Sequence, residues 1–157
     1  QAIADAVNLK DYLQGFVLKL PPDLRRRRIR WLLGQLGQFL RHMHERNISH
    51  RDMKASNFLI TPADPAAAAP KIYLIDLVGV QVWRRLPASR CVQNMTRVVA
   101  SLQSYGLFTR TDFLRLLCAY RPGVRRNDDE WKRLWHDIHR RVGQKLARNK
   151  EQRRPVA

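Results

Sequence analysis

Apolar residues recur at helical spacing in the first third of the chain, and polar residues fill the positions between them. The longest predicted helix covers residues 24–46 and has a basic face opposite its apolar stripe. Asp23 is a candidate cap for its start, and Asn47 is a candidate stop. A shorter helix is predicted over 8–17, with Asn8 as its N-cap. The long stripe comprises Ile29, Leu32, Leu33, Leu36, Phe39, Leu40 and Met43.

Three further apolar stripes at helical spacing follow residue 90. Thr109 or Thr111 is a candidate cap for the second stripe, and the acidic run 128–130 suits the N-terminus of the third. Helices are therefore predicted to dominate the second half of the chain. The stripes are Val92, Met95, Val98, Val99 and Leu102, then Phe113, Leu114, Leu116 and Leu117, then Trp131, Leu134, Trp135, Ile138 and Val142.

Two short segments between the helices, 58–60 and 72–75, are rich in β-branched and aromatic residues and predict strands. Residues 61–70 hold three prolines and four consecutive alanines, a composition typical of a loop. The fold class expected is therefore mainly α (α+β), with one small β-hairpin carried between helices. We expect one domain over residues 1–148 and a basic, disordered tail over 149–157.

Composition restricts the classes of protein that fit this pattern. The chain has 157 residues, with 30 Lys+Arg against 13 Asp+Glu, and its formal net charge is +17. Such an excess predicts attraction to nucleic acid, to anionic lipid or to a phosphorylated substrate, and does not choose among them. The two cysteines, Cys91 and Cys118, cannot form a disulfide framework, and they lack any metal-ligand spacing. No apolar run approaches the length of a membrane-spanning helix, and no secretory signal is recognisable.

The residues with chemical potential lie at 50–57, which reads His-Arg-Asp-Met-Lys-Ala-Ser-Asn. Asp52, on a loop after a helix, can accept the proton of a substrate hydroxyl, and Lys54 can neutralise a transferring phosphate. Asn57 and Asp76 offer hard oxygen ligands suited to Mg²⁺, and the hairpin between them brings the two together. Phosphoryl transfer needs these parts, because its catalysis is mostly positioning and charge neutralisation.

This stretch resembles the catalytic loop of the protein-kinase-like superfamily, His-Arg-Asp-x-x-x-x-Asn, and Asp-Leu-Val-Gly at 76–79 resembles the magnesium-binding Asp-Phe-Gly segment. The alternative interpretation is a capping Asp52 and a turn Asn57 without catalysis. The resemblance implies a protein-kinase-like C-terminal lobe whose hairpin carries the magnesium site. We find no glycine-rich phosphate loop and no Val-Ala-x-Lys strand, so the N-terminal lobe is expected to be absent from this chain.

The later motifs are similar to those of the bacterial lipopolysaccharide core kinases, the Kdo and heptose kinase family. Members commonly have an Asn-Leu-x-Arg-Leu helix and then an Arg-Phe-Leu-Arg-x-Tyr helix, which match Asn-Met-Thr-Arg at 94–97 and the residues at 111–120. The similarity covers most of residues 8–122. No Ala-Pro-Glu segment follows Asp76, which argues for a glycolipid or small-molecule kinase over a regulated protein kinase.

The resemblance implies a role for each matching residue. Asp52 would be the catalytic base, and Lys54 would contact the γ-phosphate of ATP. Asn57 and Asp76 would bind the cofactor by holding Mg²⁺ between the ATP phosphates. His50, with its neighbour Arg51, would brace the loop and not touch substrate.

The function expected is ATP-dependent phosphorylation of a sugar hydroxyl of the lipopolysaccharide core, on Kdo or heptose. Its partners would be the core and lipid A glycolipid and the anionic surface of the bacterial inner membrane, with the protein peripheral on the cytoplasmic face. One alternative is an atypical protein Ser/Thr kinase of the ribosome-biogenesis type. Another is a non-catalytic basic lobe that binds nucleic acid or membrane through charge alone. The sequence leaves the acceptor sugar and the oligomeric state open.

Overall fold

A computed structural model of the chain describes residues 5–61, 70–122 and 129–152. For residue 152 it describes the backbone alone. The helices are α1 (Leu9–Asp11), α2 (Pro22–Glu45), α3 (Ala88–Gln103), α4 (Arg110–Tyr120) and α5 (Asp129–Gln152). The strands are β1 (Val7–Asn8), β2 (Ile48–His50), β3 (Phe58–Thr61), β4 (Lys71–Leu74) and β5 (Val80–Val82). The mainly helical fold with a small hairpin is therefore confirmed.

The helices bury the apolar stripes that the sequence displays. Helix α2 packs on α4, and α3 packs on α5, so that most of the long stripe of α2 is buried in one core with residues of the other helices. Gly37 allows α2 and α4 to approach closely, because a Cβ at this position would collide with the carbonyl oxygen of Leu116 and lie 2.8 Å from Cβ of Ala119.

The strands form two small antiparallel sheets. One has the order β1-β3-β4, in which Phe58 is opposite Leu74 and Val7 is opposite Ile60. The predicted hairpin is thus present, while most of the predicted loop at 61–70 lies outside the described residues. The second sheet pairs β2 with β5, with His50 opposite Val80. Neither this pair nor β1 was predicted, because strands of two or three residues leave no periodic signal.

Several helix ends differ from the predictions in an informative way. Helix α2 begins at Pro22 with Pro21 as its N-cap, so the prediction that Asp23 caps it is wrong. An N–H at the first helical position would have no partner within the helix, so proline loses no hydrogen bond there. Helix α2 therefore starts at Pro22, before Asp23. Thr109, not Thr111, caps α4, in a reciprocal capping box with Asp112.

Both ends of the chain also show differences from the predicted segments. Asn8 caps the first helix as expected, but the α-helix ends at Asp11 and continues as a π-helix over Tyr12–Phe16. Helix α5 continues to Gln152, so residues 149–152 are helical where a disordered tail was expected. Residues 153–157 of that tail lie outside the described residues. Within the described ranges, no helix combines the length and the apolar character that crossing a bilayer requires.

Candidate active site

The loop that carries the motif begins at a sharp turn after α2. Asn47 has a left-handed backbone with φ of 56°, a conformation that asparagine tolerates and that ends a helix. Its carbonyl oxygen accepts the N–H of Trp83 and its side-chain Oδ1 accepts the N–H of Leu86, each over 2.9 Å. Asn47 therefore stops α2, as predicted, and ties the start of β2 to the segment after β5.

His50 connects the two halves of the motif. Its buried ring accepts the backbone N–H of Asp52 at Nδ1 over 3.0 Å and donates from Nε2 to the carbonyl oxygen of Asp76 over 2.8 Å. This pairing requires the neutral ring with its proton on Nε2. Gly79 lies against the same ring, and a Cβ there would be 2.6 Å from Cε1 of His50. His50 thus braces the loop, in agreement with the expected role.

Asn94 of α3 holds His50 from the opposite side. Its Nδ2 donates to the carbonyl oxygen of His50 over 2.7 Å, and its Oδ1 accepts the N–H of His50 over 3.3 Å. The same Oδ1 accepts from Nε2 of His44 over 3.1 Å, so Nδ1 of His44 accepts the hydroxyl of Tyr120 over 2.8 Å. Burial lowers the pKa of His44, against the opposing hydrogen bond from Asn94, which is consistent with a neutral ring. A chain of hydrogen bonds, most of them buried, therefore runs from Tyr120 of α4 to the loop that carries the motif.

Asp52, Lys54 and Asn57 are in direct contact. Nζ of Lys54 lies 2.5 Å from Oδ2 of Asp52, and both side chains are about half exposed. Nδ2 of Asn57 donates to the carbonyl oxygen of Asp52 over 2.8 Å and to its Oδ2 over 3.3 Å. Burial raises the pKa of Asp52, but Lys54 and Asn57 outweigh that effect, and the net pKa lies below its usual value. Asp52 is therefore an ionised acceptor at neutral pH.

Asp76 lies two residues after the end of β4 and has a left-handed backbone, φ 61° and ψ 59°. Its carbonyl oxygen is held by His50, while its exposed carboxylate makes no hydrogen bond or ion pair with any described residue. The pKa of Lys54 is raised mainly by its hydrogen bond to Asp52 and in smaller part by the charge of Asp76. The two predicted carboxylates therefore both act on the same ammonium group.

The donor set fits a divalent cation only in combination with other ligands. Oδ1 of Asn57 accepts no hydrogen bond from a described residue, and the carboxylate of Asp76 accepts none either. Both are hard oxygens of the kind that Mg²⁺ prefers. No three His, Cys, Asp or Glu side chains among the described ranges cluster as a metal site. This pair suits a cation that takes its remaining ligands from phosphates and water.

An open cleft of about 730 Å³ lies beside Asp52 and Lys54. Helix α3 and the segment after it form one wall, and the last turns of α5 form another. Its cationic lining residues are Lys10, Lys54, Arg97, Lys145 and Lys150. The cleft can therefore admit a polar, negatively charged molecule to the Asp52 carboxylate.

Sequence reasoning assigned no role to Asn94, His44 or Arg97. Asn94 and Arg97 belong to the motif that resembles Asn-Leu-x-Arg-Leu, so the sequence marked their positions but not their contacts. His44 carries no such mark, since its partners are 50 and 76 positions away in the chain.

The order of elements, with a long helix, the catalytic-loop motif and a hairpin that ends in Asp76, defines the C-terminal lobe of a protein-kinase-like fold. Residues 1–120 match the family model for lipopolysaccharide kinases, described as the Kdo/WaaP family. The chain belongs to the lipopolysaccharide kinase (Kdo/WaaP) family. Helix α5 lies beyond the matched residues.

Solved structures support the same fold. One described as "WaaP in complex with acyl carrier protein" is similar with a TM-score of 0.75 and 24% sequence identity. The match covers 91% of this chain and 58% of the other, so the chain spans little more than half the length of that relative. A search of curated protein sequences gives no match.

Proposed function

We propose that this chain is the acceptor-binding and catalytic lobe of a kinase that phosphorylates a sugar hydroxyl, on Kdo or heptose, of the lipopolysaccharide core. The observation that carries the proposal is the mutual contact of Asp52, Lys54 and Asn57 at the mouth of a basic cleft. Family membership supports the reaction class, and ATP is the phosphoryl donor that this class uses.

In the proposed reaction, Asp52 accepts the proton of the sugar hydroxyl as its oxygen attacks the γ-phosphorus. The new oxygen–phosphorus bond forms as the bond to the β–γ bridging oxygen breaks, and ADP leaves with that electron pair. Lys54 contacts the transferring group and offsets its charge, while Asn57 keeps the Asp52 carboxylate in place. Transfer of the proton to Asp52 fits a carboxylate that stays ionised at neutral pH.

Asn57 and Asp76 would hold Mg²⁺, through Oδ1 of the amide and the carboxylate. When bound, the ion neutralises phosphate charge and orients the triphosphate. The chain's own contribution is to fix both ligands: Asn57 through its hydrogen bonds to Asp52, and Asp76 through the hydrogen bond from His50 to its carbonyl oxygen.

The decisive experiment replaces Asp52 by Asn in the full-length protein that carries this chain. Transfer of labelled phosphate to core oligosaccharide should fall by a factor of about 10²–10⁴, the usual contribution of a general base. Asp23→Asn makes the same chemical change in the first turn of α2, outside the site, and should retain wild-type turnover. Turnover by Asp52→Asn within a few-fold of wild type would reject the proposal.

Nucleotide binding separates this proposal from a non-catalytic basic lobe. Mg²⁺-dependent binding of ATP should be lost in Asp76→Ala, because one of its two proposed ion ligands is removed. If the protein instead bound RNA with a steep salt dependence that Asp76→Ala left unchanged, charge alone would explain its basic composition. Phosphorylation of protein or RNA in place of core oligosaccharide would favour the atypical protein-kinase alternative.

We further propose that the segment 16–27, which leads into the first turns of α2, docks on an anionic membrane surface. Phe16, Leu18 and Leu24 are exposed apolar residues (37%, 39% and 49%), and Arg26 and Arg27 nearby in sequence are exposed cations. Cations next to apolar side chains are typical of peripheral membrane contacts. Binding to phosphatidylglycerol vesicles should weaken by about 1 kcal/mol for each arginine changed to Gln. Equal binding to neutral phosphatidylcholine vesicles would contradict this.

A further inference from the structure

The cleft beside Asp52 has more positive charge than the transfer of one phosphoryl group requires. Lys54 is already paired with Asp52 and lies where the γ-phosphate is proposed to bind. Among the described residues that line the cleft, Asp52 is the sole acid. Besides Asp52 and Lys54, the charged lining residues are four more cations, Lys10, Arg97, Lys145 and Lys150. A neutral sugar could use these four only as hydrogen-bond donors, whereas a negatively charged group would also gain from their charge.

Arg97 is the clearest of these surplus cations. Its side chain is half-buried and makes no hydrogen bond or ion pair with any described residue. Burial lowers its pKa, and the charge of Arg90 adds to this, while Asp52 acts in the opposite direction. Removing a guanidinium from water without a partner is unfavourable, and such a group is typical of a site whose partner is a ligand. The planar guanidinium matches a phosphate or carboxylate through two parallel hydrogen bonds.

Lys145 and Lys150 bring the same charge from the opposite wall. They lie in the last turns of α5, where Leu146 and Asn149 also line the cleft. Lys145 is half-buried and Lys150 is exposed, and no described residue forms an ion pair with either. Helix α5 follows residue 120, so this wall lies outside the residues that the family model matches. The family match therefore does not account for the charge on this wall.

The remaining lining suits a sugar. Gln103 and Ser104 are exposed polar residues at the end of α3, and Ser56 adds a hydroxyl from the catalytic loop. Such groups can donate to and accept from sugar hydroxyls. The cleft thus has hydrogen-bonding groups beside Asp52 and cations on both walls.

We infer that the cleft recognises an acceptor sugar that already carries a negative group, phosphate or carboxylate, and that Arg97, Lys145 and Lys150 are the residues that select it. The inference rests on the proposed function and adds the chemical feature of the acceptor to it. It makes these three residues determinants of specificity, whereas Asp52 and Lys54 take part in the reaction itself.

The test compares the double variant Lys145→Gln/Lys150→Gln with Lys132→Gln/Arg148→Gln in the full-length protein. The control removes the same charge from the same helix at positions outside the cleft. With intact core oligosaccharide, the KM of the first variant should rise at least about tenfold, equivalent to about 1.4 kcal/mol. Its kcat and its KM for ATP should stay within about twofold, as should every constant of the control. An unchanged acceptor KM in the cleft variant would overturn the inference.

Treated acceptors identify the group that is recognised. Core oligosaccharide that has been dephosphorylated, or whose carboxyl groups have been reduced, is compared with the intact form. The wild type should bind one of these two treated forms more weakly than the intact form. The cleft variant should bind that treated form about as well as it binds the intact form. If the wild type had equal KM for charged and fully neutralised acceptor, the inference would fail.

Binding without turnover separates this inference from the proposed function. Titration calorimetry on Asp52→Asn should still show tighter binding of intact than of neutralised oligosaccharide. Charge-selective binding with no phosphate transfer by the wild type would end the proposed function but leave this site in place. Transfer without charge selectivity would do the reverse. Arg97→Lys, which keeps the charge but not the planar fork, should weaken binding less than Arg97→Gln does.

Discussion

Nε2 of His50 donates a hydrogen bond to the carbonyl oxygen of Asp76 over 2.8 Å, and this bond joins segments 26 residues apart. The other ring nitrogen is occupied by the backbone N–H of Asp52. One imidazole therefore sets the positions of the proposed base and of a proposed Mg²⁺ ligand at once. A displacement of this ring would separate the two carboxylates without removing either.

Gly79→Ala should displace the ring of His50. The new Cβ would lie 2.6 Å from Cε1 of the His50 ring, which is buried and cannot swing into open space. Overpacking of this kind costs about 1–3 kcal/mol of stability. Phosphate transfer should fall more than the loss of stability explains, since folded protein would keep both carboxylates in altered positions. Steady-state kinetics at a temperature where the variant is fully folded measures this.

Gly143→Ala is the matched control for Gly79→Ala. Gly143 lies in α5, and a Cβ there would meet no atom within 4 Å. Alanine in a helix interior is favoured over glycine by about 0.5–1 kcal/mol. The control should therefore raise the free energy of unfolding and leave turnover unchanged. Normal turnover in Gly79→Ala would show that the position of the His50 ring does not matter for catalysis.

Asn94→Ala should be strongly destabilising. The change leaves the N–H and the carbonyl oxygen of His50, and Nε2 of His44, without their partner. Each orphaned buried group costs about 1–3 kcal/mol, and we expect a total loss of about 3 kcal/mol after relaxation. Urea unfolding measures it, and Gln144→Ala, at an exposed position of α5, should change stability by less than about 0.5 kcal/mol. A loss below 1 kcal/mol in Asn94→Ala would mean that water replaces the amide.

The contrast between Asp52 and Asn94 shows how far the sequence could be read. The contacts of Asp52 with Lys54 and Asn57 are local, within five residues, and a recognisable motif carries them. The contacts of Asn94 with His50 and His44 bridge 44 and 50 residues. These contacts form only when α3 packs against β2, so no pattern along the sequence predicts them.

The fold divides in the same way. The stripe of α2 is a periodic signal and the β-branched and aromatic residues around β4 are a compositional one, and both elements lie within a few residues of their predicted bounds. The π-helix over Tyr12–Phe16 and the three-residue strands β2 and β5 are set by tertiary packing and pairing. Such elements contain too few residues for local propensity or periodicity to predict them.

The stability of the protein should fall when His44 becomes protonated. Burial lowers the pKa of His44, so the unfolded chain, with a histidine pKa of about 6.5, binds this proton more readily than the folded chain does. The contribution of His44 to stability is therefore fully present above about pH 6.5 and is lost as pH falls through its folded pKa. Urea unfolding at pH 7.5, 6.5 and 5.5 measures the slope.

His44→Gln should flatten that slope, while His136→Gln, an exposed change on α5, should keep the wild-type slope. Tyr120→Phe should lower stability by about 1 kcal/mol, because Nδ1 of His44 loses the hydroxyl that donates to it. A wild-type slope retained in His44→Gln would assign the acid sensitivity to other groups.

Gly37→Ala should separate α2 from α4. Its Cβ would collide with the carbonyl oxygen of Leu116, which belongs to the backbone of α4 and cannot rotate away. We expect a loss of about 1–3 kcal/mol by overpacking. Gly34→Ala, one turn earlier on the same helix, meets no atom within 4 Å and should stabilise by about 0.5–1 kcal/mol. Thermal unfolding of the two variants should therefore shift in opposite directions, and equal shifts would refute the close helix contact.

Lys54→Met should move the acidic limb of activity to higher pH. The hydrogen bond and the charge of Lys54 lower the pKa of Asp52 against a burial effect that raises it, so removing the ammonium leaves burial the larger influence. A general base works only when deprotonated, so activity is lost as pH falls through its pKa. The wild-type limb should lie below about pH 4, the ordinary range of aspartate, and the variant limb should lie above the wild-type limb. Values of kcat/KM measured against pH, in assays short enough to precede acid unfolding, locate both limbs.

The control is Lys71→Met, at an exposed position of β4, which should leave the acidic limb unchanged. Turnover will also fall in Lys54→Met because the group that offsets phosphate charge is gone, but a lower rate with an unmoved limb would mean that Asp52 is not the titrating base.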